Sequence, residues 1–203
     1  MIVSDVQPLK AAEPRKPHVA EALGVREDDR GLAPGTMAPD FTLKGVEAVQ
    51  LSKLHQAGPV LLLFYRGGWC PYCNFQVWEL ANKSKAFQQA GVTLLMVSVD
   101  EPDATSVTHQ AYKVPFKLLS DPDLVAHKAF DVDLKLDEAS VDRLNGLGID
   151  LEAWSRRKHH TIAIPSAFYI EKGGRIGWSH VSKDYQTRPS ATQLLKVVRS
   201  QAK

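Results

Sequence analysis

Downstream of Pro39, hydrophobic and polar positions follow two distinct rhythms. Residues 60–65, Val-Leu-Leu-Leu-Phe-Tyr, form an unbroken apolar run bounded by Gly58, Pro59 and Gly67. This is the pattern of a strand buried on both faces. A helical stretch is predicted over residues 71–89, followed by a second apolar strand at 92–99. Parallel pairing of two such strands requires a crossover of about this length, with helices covering the sheet, so the segment is a βαβ unit. A helix over 103–112, a short strand at 116–119 and a helix over 122–130 continue the alternation. Two β-rich runs at 166–170 and 175–181 are separated by Glu171, Lys172, Gly173 and Gly174, whose glycines supply the positive φ of a tight hairpin. The predicted sheet is therefore mixed. A last helix over 190–201 places Leu194, Leu195, Val197 and Val198 in register to cover one sheet face.

Two segments break this rhythm. Residues 1–35, rich in proline and charge, read as an N-terminal arm with one short helix near 19–23. Residues 131–160 carry alternating acids, Asn145-Gly146, Gly148 and the basic run Arg156 to His160, and read as an insertion. The basic run is a solvated loop end, with an anionic redox partner or RNA as alternatives. Only Trp154 interleaves it, too little aromatic surface for a single-strand platform.

At 203 residues, 44% hydrophobic and 24% charged, the chain has the balance of one ordinary soluble domain of α/β class. A formal charge of +2 gives no nucleic-acid footprint over the whole molecule, so no nucleic-acid partner is expected. The first twenty residues lack the apolar stretch of a signal peptide, and the longest apolar run is far below the roughly 20 residues of a membrane span. The expectation is a cytoplasmic protein with no membrane partner.

Two cysteines cannot staple a domain of this size, so their reactivity matters more than cross-linking. They lie in Phe64-Tyr65-Arg66-Gly67-Gly68-Trp69-Cys70-Pro71-Tyr72-Cys73, where strand passes to helix. With Cys70 at the N-cap and Pro71 at the first helical position, Cys70 faces free amides at the positive helix end, which favours a thiolate. Cys73 comes round the first turn, near enough for a disulfide and more shielded. Cys70 is therefore expected to be the more exposed and more acidic thiol. A thiolate of lowered pKa attacks a disulfide sulfur or a peroxide oxygen, and the second thiol then closes a disulfide. The alternatives are an inert buried pair and a zinc site, for which the adjacent His159 and His160 lack the usual ligand spacing.

Trp69-Cys70-Pro71-Tyr72-Cys73 after an apolar strand resembles the active-site turn of thioredoxin. The surrounding chain resembles the peroxiredoxin family named for alkyl hydroperoxide reductase and thiol-specific antioxidant. The likeness covers residues 35–200, through Ala38-Pro39-Asp40-Phe41-Thr42-Leu43, Phe64-Tyr65, Ser120-Asp121-Pro122-Asp123, the segment 164–170 and Gly174-Arg175-Ile176. It implies a thioredoxin-like fold, with Cys70 as nucleophile, Cys73 as resolving partner and Pro165 as a cis-proline facing the pair. It further implies hydroperoxide or disulfide substrates bound near Arg66, Trp69, Pro71 and Tyr72. No bound cofactor is needed, the reductant is of thioredoxin or glutathione type, and a homodimer is the assembly expected by analogy.

A typical peroxiredoxin has a Pro, then a Thr or Ser three residues before the peroxidatic cysteine, and an Arg from a distant strand. Here Arg66 stands where that Pro is usual, Gly67 lies three before Cys70, and Pro165 occupies the distant Arg's place. Arg66 is a candidate to support a peroxide oxygen, or else a surface residue. Arg188, in Asp184-Tyr185-Gln186-Thr187-Arg188-Pro189, resembles a stretch of peroxiredoxin-like relatives but reads as packing before the last helix or as a salt bridge. Three functions remain open: a peroxiredoxin-like thiol peroxidase, a dithiol-disulfide reductase, and a non-catalytic redox sensor acting through residues 131–160.

Overall fold

The computed structural model describes residues 9–45 and 48–201, so the first eight residues of the expected arm lie outside the described residues. In chain order the elements are β1 (His18–Val19), a 3-10 turn (Glu27–Asp29), β2 (Thr42–Leu43), β3 (Val49–Gln50), α1 (Leu51–Ala57), β4 (Val60–Phe64) and α2 (Pro71–Gln89). They continue with β5 (Thr93–Ser98), α3 (Pro102–Ala111), β6 (Lys117–Ser120), α4 (Val125–Ala129), β7 (Asp133–Lys135), α5 (Glu138–Gly146) and α6 (Leu151–Ser155). The chain closes with β8 (Thr161–Ala163), β9 (Ser166–Ile170), β10 (Ile176–Val181), β11 (Thr187–Arg188) and α7 (Ala191–Gln201).

Five strands form the central sheet in the order β10-β9-β4-β5-β6. Strands β4, β5 and β6 run parallel, whereas β9 pairs antiparallel with both β4 and β10. This is the mixed sheet expected from the apolar runs, and the hairpin turns at Gly173 and Gly174 with φ of 95° and 96°. The two-residue side-chain period of β4 divides the core. Leu61, Leu63 and Tyr65 face one cluster with Cys70, Cys73, Val77 and Leu194, and Val60, Leu62 and Phe64 face another with Phe130 and Phe168. The cysteines therefore sit on the side covered by α2 and α7. No helix among the described residues is long and apolar enough to cross a membrane.

The structure corrects one sequence expectation here. No helix forms near 19–23; instead β1 pairs in parallel with β11, His18 opposite Thr187 and Val19 opposite Arg188. His18 N donates to Gln186 O at 2.7 Å and Ala20 N to Arg188 O at 3.0 Å, bonds that an isolated helical turn would leave to solvent. Residues 131–160, read as an insertion, hold regular structure of their own. Strands β7 and β8 pair antiparallel, and Asp137 and Asp150 cap α5 and α6 through backbone amides. The basic run is solvent-exposed, and two of its arginines form surface ion pairs: Arg157 meets Glu101 at 2.8 Å and Asp123 at 2.9 Å, and Arg156 meets Asp103 at 3.2 Å.

Candidate active site

The site begins where β4 ends. Tyr65 N still bonds Val97 O at 3.0 Å, after which residues 66–69 turn the chain into α2. Gly67 has a φ of 144°, and a Cβ there would approach Trp69 Nε1 at 2.4 Å and Asp100 Oδ1 at 2.6 Å. A Cβ on Gly68 would meet Thr108 Oγ1 at 2.0 Å, so both positions need glycine to keep the turn against its neighbours. Gly68 N donates to Asp100 Oδ2 at 2.8 Å, and Gly68 O accepts from Asn74 Nδ2 at 2.7 Å and from Ala12 N at 2.9 Å. The arm thus holds the outer side of the turn.

Cys70 is the N-cap of α2 and Pro71 its first helical residue, as the sequence indicates. The order of acidity of the two thiols is the reverse of the expectation, while Cys70 remains the one that reaches the cleft. Both thiols are buried, Cys70 at 1% and Cys73 at 0% exposure, and the Cys70 side chain makes no capping hydrogen bond to α2. Arg188 on β11 is buried as well, and its Nη1 donates to Cys73 Sγ at 3.5 Å and to Gln76 Oε1 at 3.2 Å. Its Nη2 is anchored on Tyr185 O. Burial opposes a thiolate on Cys73, but the hydrogen bond from Cys70 and the charges of Arg188 and Arg66 outweigh it and hold Cys73 well below the usual thiol range. Burial, its hydrogen bond to Cys73 and the Cys73 charge push Cys70 well above that range. The hydrogen bond between the thiols, together with the nearby cations, has prevailed over the partial charge of a helix end.

Six residues singled out from the sequence, Arg66, Trp69, Cys70, Pro71, Tyr72 and Pro165, line one cleft of about 530 Å3. Cys73 has 0% exposure and does not itself line it. The Arg66 guanidinium lies 4.8 Å from the Trp69 ring centre and 4.2 Å from that of Tyr185, so it is held at the cleft by two aromatic faces. Tyr72 Oη donates to Gln186 Oε1 at 3.3 Å. Pro165 reaches the cleft as expected, but its peptide bond is trans, as are all described peptide bonds. Ile164 N donates to Val132 O at 2.8 Å and Pro165 O accepts from Ser182 N at 3.1 Å, so regular pairing holds the chain on both sides and leaves no turn for a cis bond to make.

The profile of the AhpC/TSA family matches residues 34–179. The chain belongs to this family. A chloroplastic peroxiredoxin Q of Suaeda salsa is 34% identical over 92 residues, covering 44% of this chain and 42% of that protein. A chloroplastic peroxiredoxin Q of Sedum lineare is 35% identical over 89 residues, covering 43% of this chain and 47% of that protein. The chain thus matches less than half the length of these relatives. Among solved structures, reduced Prx3 of Vibrio vulnificus in complex with hydrogen peroxide superposes with a TM-score of 0.67 at 17% identity, over 84% of this chain and 98% of that one. Peroxidoxin BcpB of Mycobacterium tuberculosis superposes with a TM-score of 0.64 at 18% identity, over 82% and 96%. The thioredoxin-like fold expected from the sequence is the fold of these neighbours.

Two groups in this AhpC/TSA protein escape a reading by motif. Arg188 was legible only as a resemblance, because the contact that defines it spans 115 residues. Asp100 has 0% exposure, follows β5, and has no partner for Oδ1. Burial pushes its carboxyl up to about 7, with the Cys73 charge adding to the rise and the Gly68 amide and Ser98 opposing it. The folded value lies above that of an unfolded carboxyl, so the folded state holds an extra proton between about pH 4 and pH 7. The stability linked to Asp100 is fully present below about pH 4 and is lost as the pH rises through about 7. Between pH 5 and pH 8, wild type is expected to lose about 2.5 kcal/mol more stability in denaturant titrations than Asp100→Asn. Equal losses would show that Asp100 is ionised throughout.

Proposed function

We propose that this AhpC/TSA protein is a thiol peroxidase in which Cys73 attacks the peroxide and Cys70 resolves it. The observation that carries this reading is the buried Arg188 guanidinium on Cys73 Sγ. The family pattern supports it. Cys70 stands three residues before Cys73, where that pattern has a hydroxyl, and Arg188 comes from a distant strand. The Cys73 thiolate bonds to the terminal peroxide oxygen, the O–O bond breaks, and its electron pair leaves on the other oxygen, which takes a proton to become water or an alcohol. Cys73 is then a sulfenic acid. The Cys70 thiol attacks its sulfur, water leaves, and a Cys70–Cys73 disulfide closes. A thioredoxin-type dithiol, or two glutathione-type thiols, returns the pair to the dithiol: the first thiolate attacks Cys70, the sulfur that lines the cleft, releasing Cys73, and the second thiol breaks the mixed disulfide and leaves as the oxidised reductant.

The Trp-Cys-Pro-Tyr-Cys turn and Pro165 at the same cleft favour a second reading, disulfide reduction with little peroxidase activity. Stopped-flow oxidation of the reduced protein by hydrogen peroxide and by a small disulfide separates the two. Peroxide oxidation faster than that of free cysteine is expected, and a rate no faster than free cysteine refutes the peroxidase. Arg66 adds a finer discrimination, since its charge acts on both sulfurs from the cleft side. Arg66→Met keeps the bulk and is expected to lose at least about tenfold in peroxide reactivity, about 1.4 kcal/mol of transition-state stabilisation, with a smaller loss in disulfide exchange. Equal losses would mean that Arg66 only tunes the thiolate.

A further inference from the structure

Arg188 and the N-terminal arm both lie outside the residues that match the family, 34–179, and they are bonded to each other. Strand β11, which carries Arg188, takes no place in the central sheet, and β1 of the arm is its one strand partner among the described residues. His18 N donates to Gln186 O, Ala20 N donates to Arg188 O, and Gln193 Nε2 on α7 donates to Ala20 O at 2.8 Å. The same segment is bonded at its other end to the reactive turn: Ala12 N donates to Gly68 O, and Arg15 N donates to Pro71 O at 3.0 Å. Asn74, with 0% exposure, donates from α2 to Gly68 O and, at 2.9 Å, to Ala12 O. Residues 12–20 therefore bridge the two elements that the contact of Arg188 Nη1 with Cys73 Sγ joins from inside.

Two paired strands of two residues each are marginal by themselves, so the place of β11 depends on what anchors the arm. The pull of a guanidinium on a thiolate weakens with separation, and Arg188 Nη1 already lies 3.5 Å from Cys73 Sγ, so drift of β11 weakens it further. We propose that arm residues 12–20 are a positioning element of the peroxidatic site, a clasp that holds β11 against the Cys70 turn and thereby sets Arg188 on Cys73. This rests on the reading of Arg188 as the cation that supports Cys73. The segment read from sequence as an appended arm thereby holds in place an arginine that the family-matched residues do not contain.

The test uses the reduced full chain, stopped-flow oxidation by hydrogen peroxide, and ultraviolet thiolate absorbance across pH as a readout of Cys73 acidity that needs no turnover. His18 is exposed, so His18→Pro deletes the amide bonded to Gln186 O without entering the core, and His18→Ala keeps that amide as the control. His18→Pro is expected to be oxidised about tenfold more slowly at neutral pH, part of the loss caused by removing the cation outright, with its thiolate titration moved to higher pH. His18→Ala should match wild type. In an Arg188→Met background, His18→Pro should lower the rate no further, because the clasp has no cation left to place. Unchanged rate and titration in folded His18→Pro overturn the proposal, as does a loss of the same size with and without Arg188. Wild-type oxidation of Arg188→Met refutes instead the reading of Arg188, and takes the proposal with it. If His18→Pro does not fold, the arm is removed from the folded full chain through a protease site inserted after the exposed Ala22, and a synthetic peptide of residues 9–22 is added back. Loss of rate and acidity on removal, with recovery on addition, supports the clasp; no loss, or no recovery, overturns it.

Discussion

Replacing Arg188 by Met is expected to lower the rate of peroxide oxidation by about 10²–10³-fold, the cost of losing one preorganised donor at a developing charge, about 2.7–4 kcal/mol. The side chain is 2% exposed and its guanidinium is fixed by Tyr185 O, Gln76 Oε1 and Cys73 Sγ, so its charge is in place before substrate arrives. With this cation gone, the Cys70 hydrogen bond and Arg66 are left to oppose burial, and the Cys73 pKa rises. Stopped-flow rates measured across pH distinguish the two parts of this loss. A rate recovered fully at high pH would mean that Arg188 serves only to ionise Cys73, and a persistent deficit would mean that it also supports the peroxide oxygen. Arg188→Lys retains charge without the forked geometry and should recover part of the rate. Wild-type reactivity in Arg188→Met would remove the cation from the mechanism.

The second large effect separates the sulfurs. Cys73→Ser is expected to abolish fast oxidation, leaving a rate no faster than that of free cysteine, because the remaining Cys70 sulfur lacks the hydrogen bond that Arg188 Nη1 donates to Cys73 Sγ. Cys70→Ser should keep a fast first oxidation and lose turnover with a dithiol reductant, since no second sulfur closes the disulfide. Single-turnover fluorescence and steady-state peroxide consumption read these outcomes independently. Loss of the first step in both variants would show that the Cys70 hydrogen bond is required for attack, and fast oxidation in Cys73→Ser would reverse the assignment.

The sheet was legible because its apolar runs are long and cleanly punctuated. Val60–Phe64, Pro71–Gln89 and Ser166–Ile170 lie where hydrophobic rhythm, proline and paired glycines put them. The short strand His18–Val19 was not, since two residues carry no periodicity and their pairing is decided by Thr187 and Arg188, far away in the chain. The same limit applies to chemistry. Cys70, Cys73, Arg66 and Pro165 were found from local motif and resemblance, and all but the buried Cys73 line one cleft. The order of acidity rests on the hydrogen bond between the two sulfurs and on Arg188, a tertiary contact that the helix N-terminus argument could not weigh. The Pro165 isomer depended in the same way on partners at Val132 and Ser182 rather than on the dipeptide. Residues 131–160 read as an insertion because polar residues dominate their local pattern, and the two helices that Asp137 and Asp150 cap were not foreseen; Leu144 of the first of them lines the cleft.

The central claim is that Cys73 is the sulfur that attacks. Mass spectrometry tests it most directly: reduced Cys70→Ser and Cys73→Ser are each treated with one equivalent of hydrogen peroxide in the presence of a sulfenic-acid trap, and the adduct is located by peptide sequencing. A rapid, stoichiometric adduct on Cys73 in Cys70→Ser, with only slow labelling of Cys70 in the other variant, is the predicted result. Rapid labelling of Cys70 in Cys73→Ser, with Cys73 unlabelled in Cys70→Ser, would contradict it.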